Sequence, residues 1–426
     1  MLESRKVSMP AKPRIRAVEM FPLNDDAEGS YVLRDPSGLA STVVLPPAVA
    51  VLISLMNGRR TLDEICDEFK HSAGQRIARE EVEHLVAQLE ELHFLESARF
   101  AEYERQQGAA YLALQVRPSA HAGGAYHGEP GELRLQLGEL FTCPEGPGLL
   151  PWEGNGRHLS EQQGRLCGVI SPHIDFRRGG ASFAWAYDRV VTESQAKVFV
   201  ILGTAHTPLK SFYSISRKDF DTPLGTTHTN REFVDALANR LGSHVSMFSD
   251  ELPHRHEHSI EFQALMLQFV LGGRRDFTIV PILVGSFHPF VNQDRLPLES
   301  TEVADFIAAL RDTAGAWPKE VCLIGGVDMA HIGPQFGDPD LLDDTRLKLQ
   351  WTDDQQLLAK ALAGDAAAWF RHVGQQGDAN RICGLAPMYT LLETLQPQRG
   401  ELLKYDQAVA EDRSSCVSFA AAAFYE

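Results

Sequence analysis

From residue 165 onward, short apolar runs rich in β-branched residues alternate with segments of helical periodicity, and this alternation constrains the fold more than any other feature. The runs LCGVIS, KVFVILG, FTIVPILVG, VCLIGG and CVSFAAAAF read as strands; helical patterns begin near Gly180, Asn230, Ser259, Thr301, Asp353 and Ile382. Apolar strands interleaved with helices predict an α/β domain, a central mixed sheet covered by helices on both faces.

Three of these strands end alike. GVIS runs into Pro172-His173-Ile174-Asp175, KVFVILG into Thr204-Ala205-His206, and VCLIGG into Val327-Asp328-Met329-Ala330-His331. Open α/β sheets bind ligands in the crevice beyond the carboxyl ends of their strands. A lone strand-end histidine is ordinarily satisfied by a backbone hydrogen bond. Three at equivalent positions, with two aspartates, instead suggest a metal or proton-transfer rim, because imidazole is the commonest metal ligand and titrates near neutrality.

Cys383 opens a helix in RICGLAPMYTLLETL, where free N–H groups and the positive dipole end favour a thiolate. It reads either as a ligand or nucleophile, or as a small buried apolar residue. In DELPHRHEHSIEFQ, the two-residue spacing of His254, His256 and His258 invites a metal-cluster reading. Because a helix follows at once, the segment is expected to be a loop-to-helix junction capped by Ser259. His258 and Glu261 then support the site, and His254 and His256 are exposed. RRGG and GGRR read as helix punctuation, and the chain has no phosphate-binding loop, dinucleotide fingerprint, nucleophile elbow or H-E-x-x-H helix.

Ahead of this domain, residues 14–97 predict a compact winged-helix-like α+β unit. β-rich SYVLRDPSG and STVVL lead through Pro46-Pro47 into AVAVLISLM; Thr61 and Glu64 form a capping box; Val82, Leu85, Val86, Leu89 and Leu92 make one helical stripe. Residues 98–116 read as a partly helical connector to a second domain at 117–426, with the glycine- and proline-rich CPEGPGLLPWEGNGRH as a surface loop. A net charge of −17 overall, and 12 basic against 16 acidic residues in the first hundred, argue against nucleic acid as partner. No apolar stretch is long enough for a membrane span, and the basic N-terminus has no signal-peptide core behind it. Six scattered cysteines without a C-x-x-C pair suggest reduced thiols and a cytoplasmic setting.

The blocks GVISPHIDFRRGG, VFVILGTAHTPL, DELPHRHEHSIEFQ, FTIVPILVGSF, VDMAHIGPQFG, RICGLAPMYTLLE and SCVSFAAAAF, in this order, resemble the Memo family, known in bacteria as AmmeMemoRadiSam system protein B. The resemblance covers roughly residues 115–426 and implies a fold like that of LigB-type extradiol dioxygenases. It implies His173, His206 and Cys383 as metal ligands, with Asp328 and His331 from the D-x-x-H block. Where the family has P-H-A-G-Y, this chain reads Pro172-His173-Ile174-Asp175-Phe176, so Asp175 is either a further ligand or a supporting group. The stretch LPPAVAVLISLMNGRRTLDEI resembles PqqD-like domains, which capture a peptide by adding it to an exposed strand edge.

Three functions follow as expectations. Two imidazoles and one anionic ligand suit an iron (Fe2+) oxidoreductase, although thiolate in place of carboxylate speaks against true ring cleavage. His331 then serves as acid/base, with Asp328 or the His258–Glu261 pair fixing tautomers. The same donors suit copper, or zinc for a hydrolase with His331 as base. A binding or assembly protein is the third, with a radical SAM enzyme, an AMMECR1-type protein and a peptide at the front unit as partners.

Overall fold

A computed structural model of the chain describes residues 10–23, 29–35, 37–153, 164–242, 247–317 and 320–426, and divides into two compact units, Met1–Ala113 and Leu114–Glu426. The last part of the glycine-rich loop, residues 154–158, lies outside the described residues.

The first unit contains β1 (Glu19–Pro22), β2 (Tyr31–Arg34), β3 (Val43–Leu45), α1 (Pro47–Leu55), α2 (Leu62–Ala73), α3 (Arg79–Glu91) and α4 (Ala98–Ala113). Its strands form an antiparallel sheet in the order β1-β2-β3. The capping box forms as the sequence predicts: Thr61 N donates to Glu64 Oε2 at 2.8 Å and Glu64 N to Thr61 Oγ1 at 3.4 Å. On α3, Val82, Val86 and Leu89 are buried against Ile65 and Phe69 of α2, while Leu92, one residue past the helix, is exposed. The segment read as a connector is helical over Ala98–Ala113, where Phe100 and Tyr111 are buried.

The second unit runs through β4 (Val116–Arg117), α5 (Pro130–Thr142), β5 (Leu166–Ser171), α6 (Phe176–Glu193), β6 (Val198–Thr204), β7 (Tyr213–Ile215), β8 (Asp219–Phe220) and α7 (Arg231–Leu241). It continues with α8 (His258–Leu271), β9 (Thr278–Val284), α9 (His288–Asn292), α10 (Thr301–Gly315), β10 (Val321–Gly326), β11 (His331–Ile332) and α11 (Asp344–Leu362). The last elements are α12 (Ala366–Gln375), α13 (Leu385–Leu395), β12 (Arg399–Val409) and β13 (Cys416–Tyr425). The sheet order is β11-β13-β5-β10-β6-β9-β7, with β12 paired to β13. Strands β5, β10, β6 and β9 are parallel, and β7, β11, β12 and β13 pair antiparallel at the margins, so the sheet is mixed.

The pleat sends alternate side chains to opposite faces. On β6, Val200 and Leu202 enter one apolar cluster with α7, α10 and α13, whereas Phe199 and Ile201 enter the other with α6 and α8. Helices thus cover both faces, as the uninterrupted apolar runs require.

Several helix starts differ from the sequence reading. α6 begins at Phe176 because Asp175 caps it, and Gly179 and Gly180 lie inside the helix. A Cβ on Gly180 would stand 2.3 Å from Leu140, so this pair permits close packing rather than punctuating the chain. α11 begins at Asp344, capped by Asp343, nine residues before the expected Asp353, and α13 begins at Leu385 rather than Ile382. No helix among the described residues is long and apolar enough to cross a membrane.

Candidate metal centre

Parallel neighbours β5, β10 and β6 deliver their carboxyl ends to one rim, and the loops leaving them carry His173, Asp328 and His206. Gly203 is the last residue but one of β6, and Gly326 ends β10. A Cβ at Gly203 would meet Ser259 Oγ at 2.7 Å, and one at Gly326 would meet Ser259 O at 2.6 Å. The missing side chains let the first turn of α8 approach the sheet and bring His258 to the rim. Cys383 arrives from the other direction, on the loop before α13.

One donor atom each from His173, His206 and Cys383 lies within 4.8 Å of the others. Cys383 Sγ is 3.4 Å from His173 Nε2. Ligands bonded at about 2.0–2.3 Å to a shared tetrahedral ion stand roughly 3.4–3.8 Å apart, so these residues fit a metal. His173 is buried, Cys383 partly buried and His206 exposed, which leaves the centre accessible from the His206 side.

The surroundings orient each ligand. His173 donates Nδ1–H to Gly326 O at 2.9 Å, and its backbone N–H donates to Asp328 Oδ1 at 2.9 Å. His206 donates Nδ1–H to Glu257 at 3.0 Å and its backbone N–H to the same carboxylate at 2.9 Å. Each ring therefore commits Nδ1 to an acceptor and leaves Nε2 for a metal. Burial holds His173 down to about 3. Burial also opposes charge on His206, but the Glu257 carboxylate outweighs it and raises that pKa. Glu257 is itself buried, yet His206 and His258 keep it ionised, well below the ordinary carboxylate range.

Cys383 departs from the sequence reading. Burial, then the neighbouring Asp328 carboxylate, push the thiol well above its usual range, so in the metal-free protein the helix dipole does not secure a thiolate. A cation is what would ionise it, with release of the proton. Burial raises Asp328 and lowers His331. His331 begins β11, and its Nδ1 faces the carbonyls of Met329 at 3.1 Å and Arg381 at 3.2 Å.

The HRHEH segment differs most from expectation. His254 is buried rather than exposed, in a short turn where its Nε2 meets Ser214 Oγ at 3.1 Å, and His256 is partly buried. α8 begins at His258, not Ser259, with Glu257 as cap. His258 does reach the rim, stacking on His206 at 4.7 Å between ring centroids. Glu261, one turn further along, points away to a buried pair with Arg117 at 2.6 Å. The supporting carboxylate is therefore Glu257. Its signal was present, a carboxylate between two histidines, but the cap was placed at Ser259, two residues too late.

Arg117 was missed altogether. Wholly buried, it donates to His254 O at 2.6 Å and Glu257 O at 3.1 Å, tying the start of the domain to the backbone behind the centre. Asp175 is engaged as the α6 cap, accepting from Arg178 N at 3.1 Å and Arg178 Nε at 2.6 Å.

A family model described as Memo-like protein matches residues 117–423. A MEMO1 family protein of Aquifex aeolicus is 26% identical over 417 residues, covering 97% of this chain and all of its own length, so that similarity extends through the first unit. MEMO1 family proteins of Methanopyrus kandleri and Methanosarcina acetivorans are 29% and 30% identical, each over 72% of this chain and 98% of their own length.

Proposed function

The chain belongs to the Memo family, and we propose that it is an iron-dependent oxidoreductase acting on a small molecule or peptide at the His173–His206–Cys383 centre. The observation that carries this reading is the orientation of both imidazoles: each Nδ1 is held by an acceptor, and the two rings turn toward one thiol. Iron(II) bound there would supply an electron-rich centre with positions open to a substrate.

The chain's own groups do the rest. Asp328 anchors the backbone of His173, and Glu257 anchors both the backbone and the ring of His206. With Nδ1 against two carbonyls, His331 keeps Nε2 for a substrate proton, and burial keeps it a neutral base at pH 7. His258 shares Glu257 with His206, its Nδ1 standing 3.3 Å from that carboxylate.

The test is metal analysis of protein purified without oxygen, with His206→Ala and Cys383→Ser beside it. Near-stoichiometric iron, lost in both variants, supports the reading. Zinc alone would transfer it to hydrolysis by the same donors, with His331 as base. Copper would keep the redox class and change the metal. No metal in any preparation would refute it.

The reading extends to partners. A radical SAM enzyme and an AMMECR1-type protein are proposed on the family resemblance, and a peptide at the first unit on its edge strand. β1 lies at the sheet margin with Met20, Phe21 and the following Leu23 exposed, a form suited to strand addition. Co-purification of the tagged protein with these enzymes, reduced by Phe21→Lys for a peptide-borne contact, tests it. The unpaired thiols of all six cysteines support a reducing, cytoplasmic setting.

A further inference from the structure

Beside the centre lies a cavity of about 170 Å³. The end of β6 from Thr204 to His206 forms one part of its lining; the turn from Val284 to His288, and Ile382, Cys383, Leu385 and Ala386, form the rest. A water position needs about 10–15 Å³ on this measure, so the cavity has room for roughly a dozen small atoms. That suits a single-ring or short-chain molecule.

The lining is chemically divided. Val284, Phe287, Ile382 and Leu385 offer apolar surface, whereas His288 is half-exposed. Its Nε2 stands 2.8 Å from Oδ2 of Asp378, a carboxylate whose side chain is only 1% exposed. Asp378 is held in turn: its Oδ1 accepts from Ile382 N at 2.8 Å, and it adopts a left-handed backbone, φ 51°, at the base of the loop that carries Cys383. The Asp378 carboxylate raises the pKa of His288. With Nε2 engaged, Nδ1 has no partner among the described residues. Paired with the Asp378 carboxylate through Nε2–H, the ring bears an Nδ1–H as the imidazolium, the form that Asp378 favours. One such donor beside an apolar wall matches one carboxylate, whereas a phosphate calls for several convergent donors.

We propose that this cavity binds a small, mainly apolar monocarboxylic acid, its body against Val284, Phe287 and Leu385 and its carboxylate accepting from His288. The proposal rests on the reading of the adjacent cluster as the reaction centre, and it assigns that centre a substrate class.

The experiment is calorimetric titration of the full-length, metal-assayed protein with benzoate and with its neutral isostere benzamide, at neutral pH. Wild type is expected to bind benzoate about tenfold more tightly, the contrast a charge-assisted hydrogen bond provides. His288→Gln should abolish the contrast with metal content unchanged. Ala205→Trp, at a half-buried position of the lining that makes no bond to His288, should weaken both probes. Equal affinity for the two probes in wild type, no binding of either, or a benzoate preference that survives His288→Gln would overturn the proposal. A preference that survives that variant but vanishes on metal removal would mean that the acid ligates the metal, again contrary to it. Metal content is read separately, so failure of the acid-binding site is distinguishable from failure of the metal centre.

Discussion

Replacing Glu257 by glutamine removes a charge and almost no volume from behind the metal centre, and its effect can be worked out from the bonds it disturbs. One carboxylate oxygen accepts from His206 N at 2.9 Å; the other accepts from Ser259 N at 3.0 Å and from His206 Nδ1 at 3.0 Å. Whichever way the amide is turned, its NH2 faces a backbone N–H. One buried donor is then left unpaired, at a cost of about 1–3 kcal/mol of folding stability. His206 also loses the anion that makes its Nε2 a better ligand, and removal of such a supporting group typically weakens metal binding about 10- to 100-fold. Chelator competition would measure the affinity and urea unfolding the stability. Glu261→Gln is the control: it disturbs the amides of Ala120 and His121, at 2.9 and 3.0 Å, and also leaves the buried Arg117 without its counter-charge, so it should lose at least as much stability and yet keep its metal affinity. Equal metal affinity in Glu257→Gln and wild type, or equal losses of metal affinity in the two variants, would refute the role given to Glu257.

Other outcomes follow from the same contacts. Burial holds His173, His254 and His258 down to about 3, whereas an unfolded histidine titrates near ~6.5. Below ~6.5 the unfolded chain takes up protons that these native rings refuse, so each erodes stability by up to about 1.4 kcal/mol per pH unit as pH falls. His206 and His288, with raised pKa values, work the other way; their contribution is present below ~6.5 and is lost as pH rises through the raised values. Between about pH 6.5 and 4.5 the His206 and His288 contribution is already fully present and constant, and His93 and His331, also lowered by burial, add to the loss. The metal-free protein should therefore show a Tm that drops across this range in scanning calorimetry; a flat profile would contradict this. Arg117→Met strands the buried Glu261 carboxylate and should cost about 3–5 kcal/mol in urea unfolding, with partial recovery in the Arg117→Met/Glu261→Gln pair. His331→Asn should retain full metal content, because the His331 ring lies outside the ligand cluster; metal loss matching that of His206→Ala would make it a ligand.

The strands and their terminal histidines were legible because both signals are local: an apolar run closed by a polar motif determines where a side chain emerges from a sheet. The five strand runs all form, and His173, His206 and Cys383 converge although up to 210 residues separate them. Legibility failed where the exact position of a helix cap decided the outcome. With α8 starting at His258, position 257 is the cap and faces the rim, while 261 turns to Arg117. It failed again where the partner lies far along the chain. Nothing near Arg117 marks it as the residue that holds the backbone of Glu257, and nothing near His288 announces Asp378. The exposure expected of His254 came from its polar neighbours, but the turn Leu252–Arg255 folds it beneath Ser214.

The centre itself is tested most directly by X-ray absorption at the metal edge of protein purified without oxygen. The account predicts an iron edge and a coordination shell containing two imidazole nitrogens and one sulfur, the sulfur disappearing in Cys383→Ser. A shell of nitrogen and oxygen alone in the wild type, or no bound metal, would contradict it.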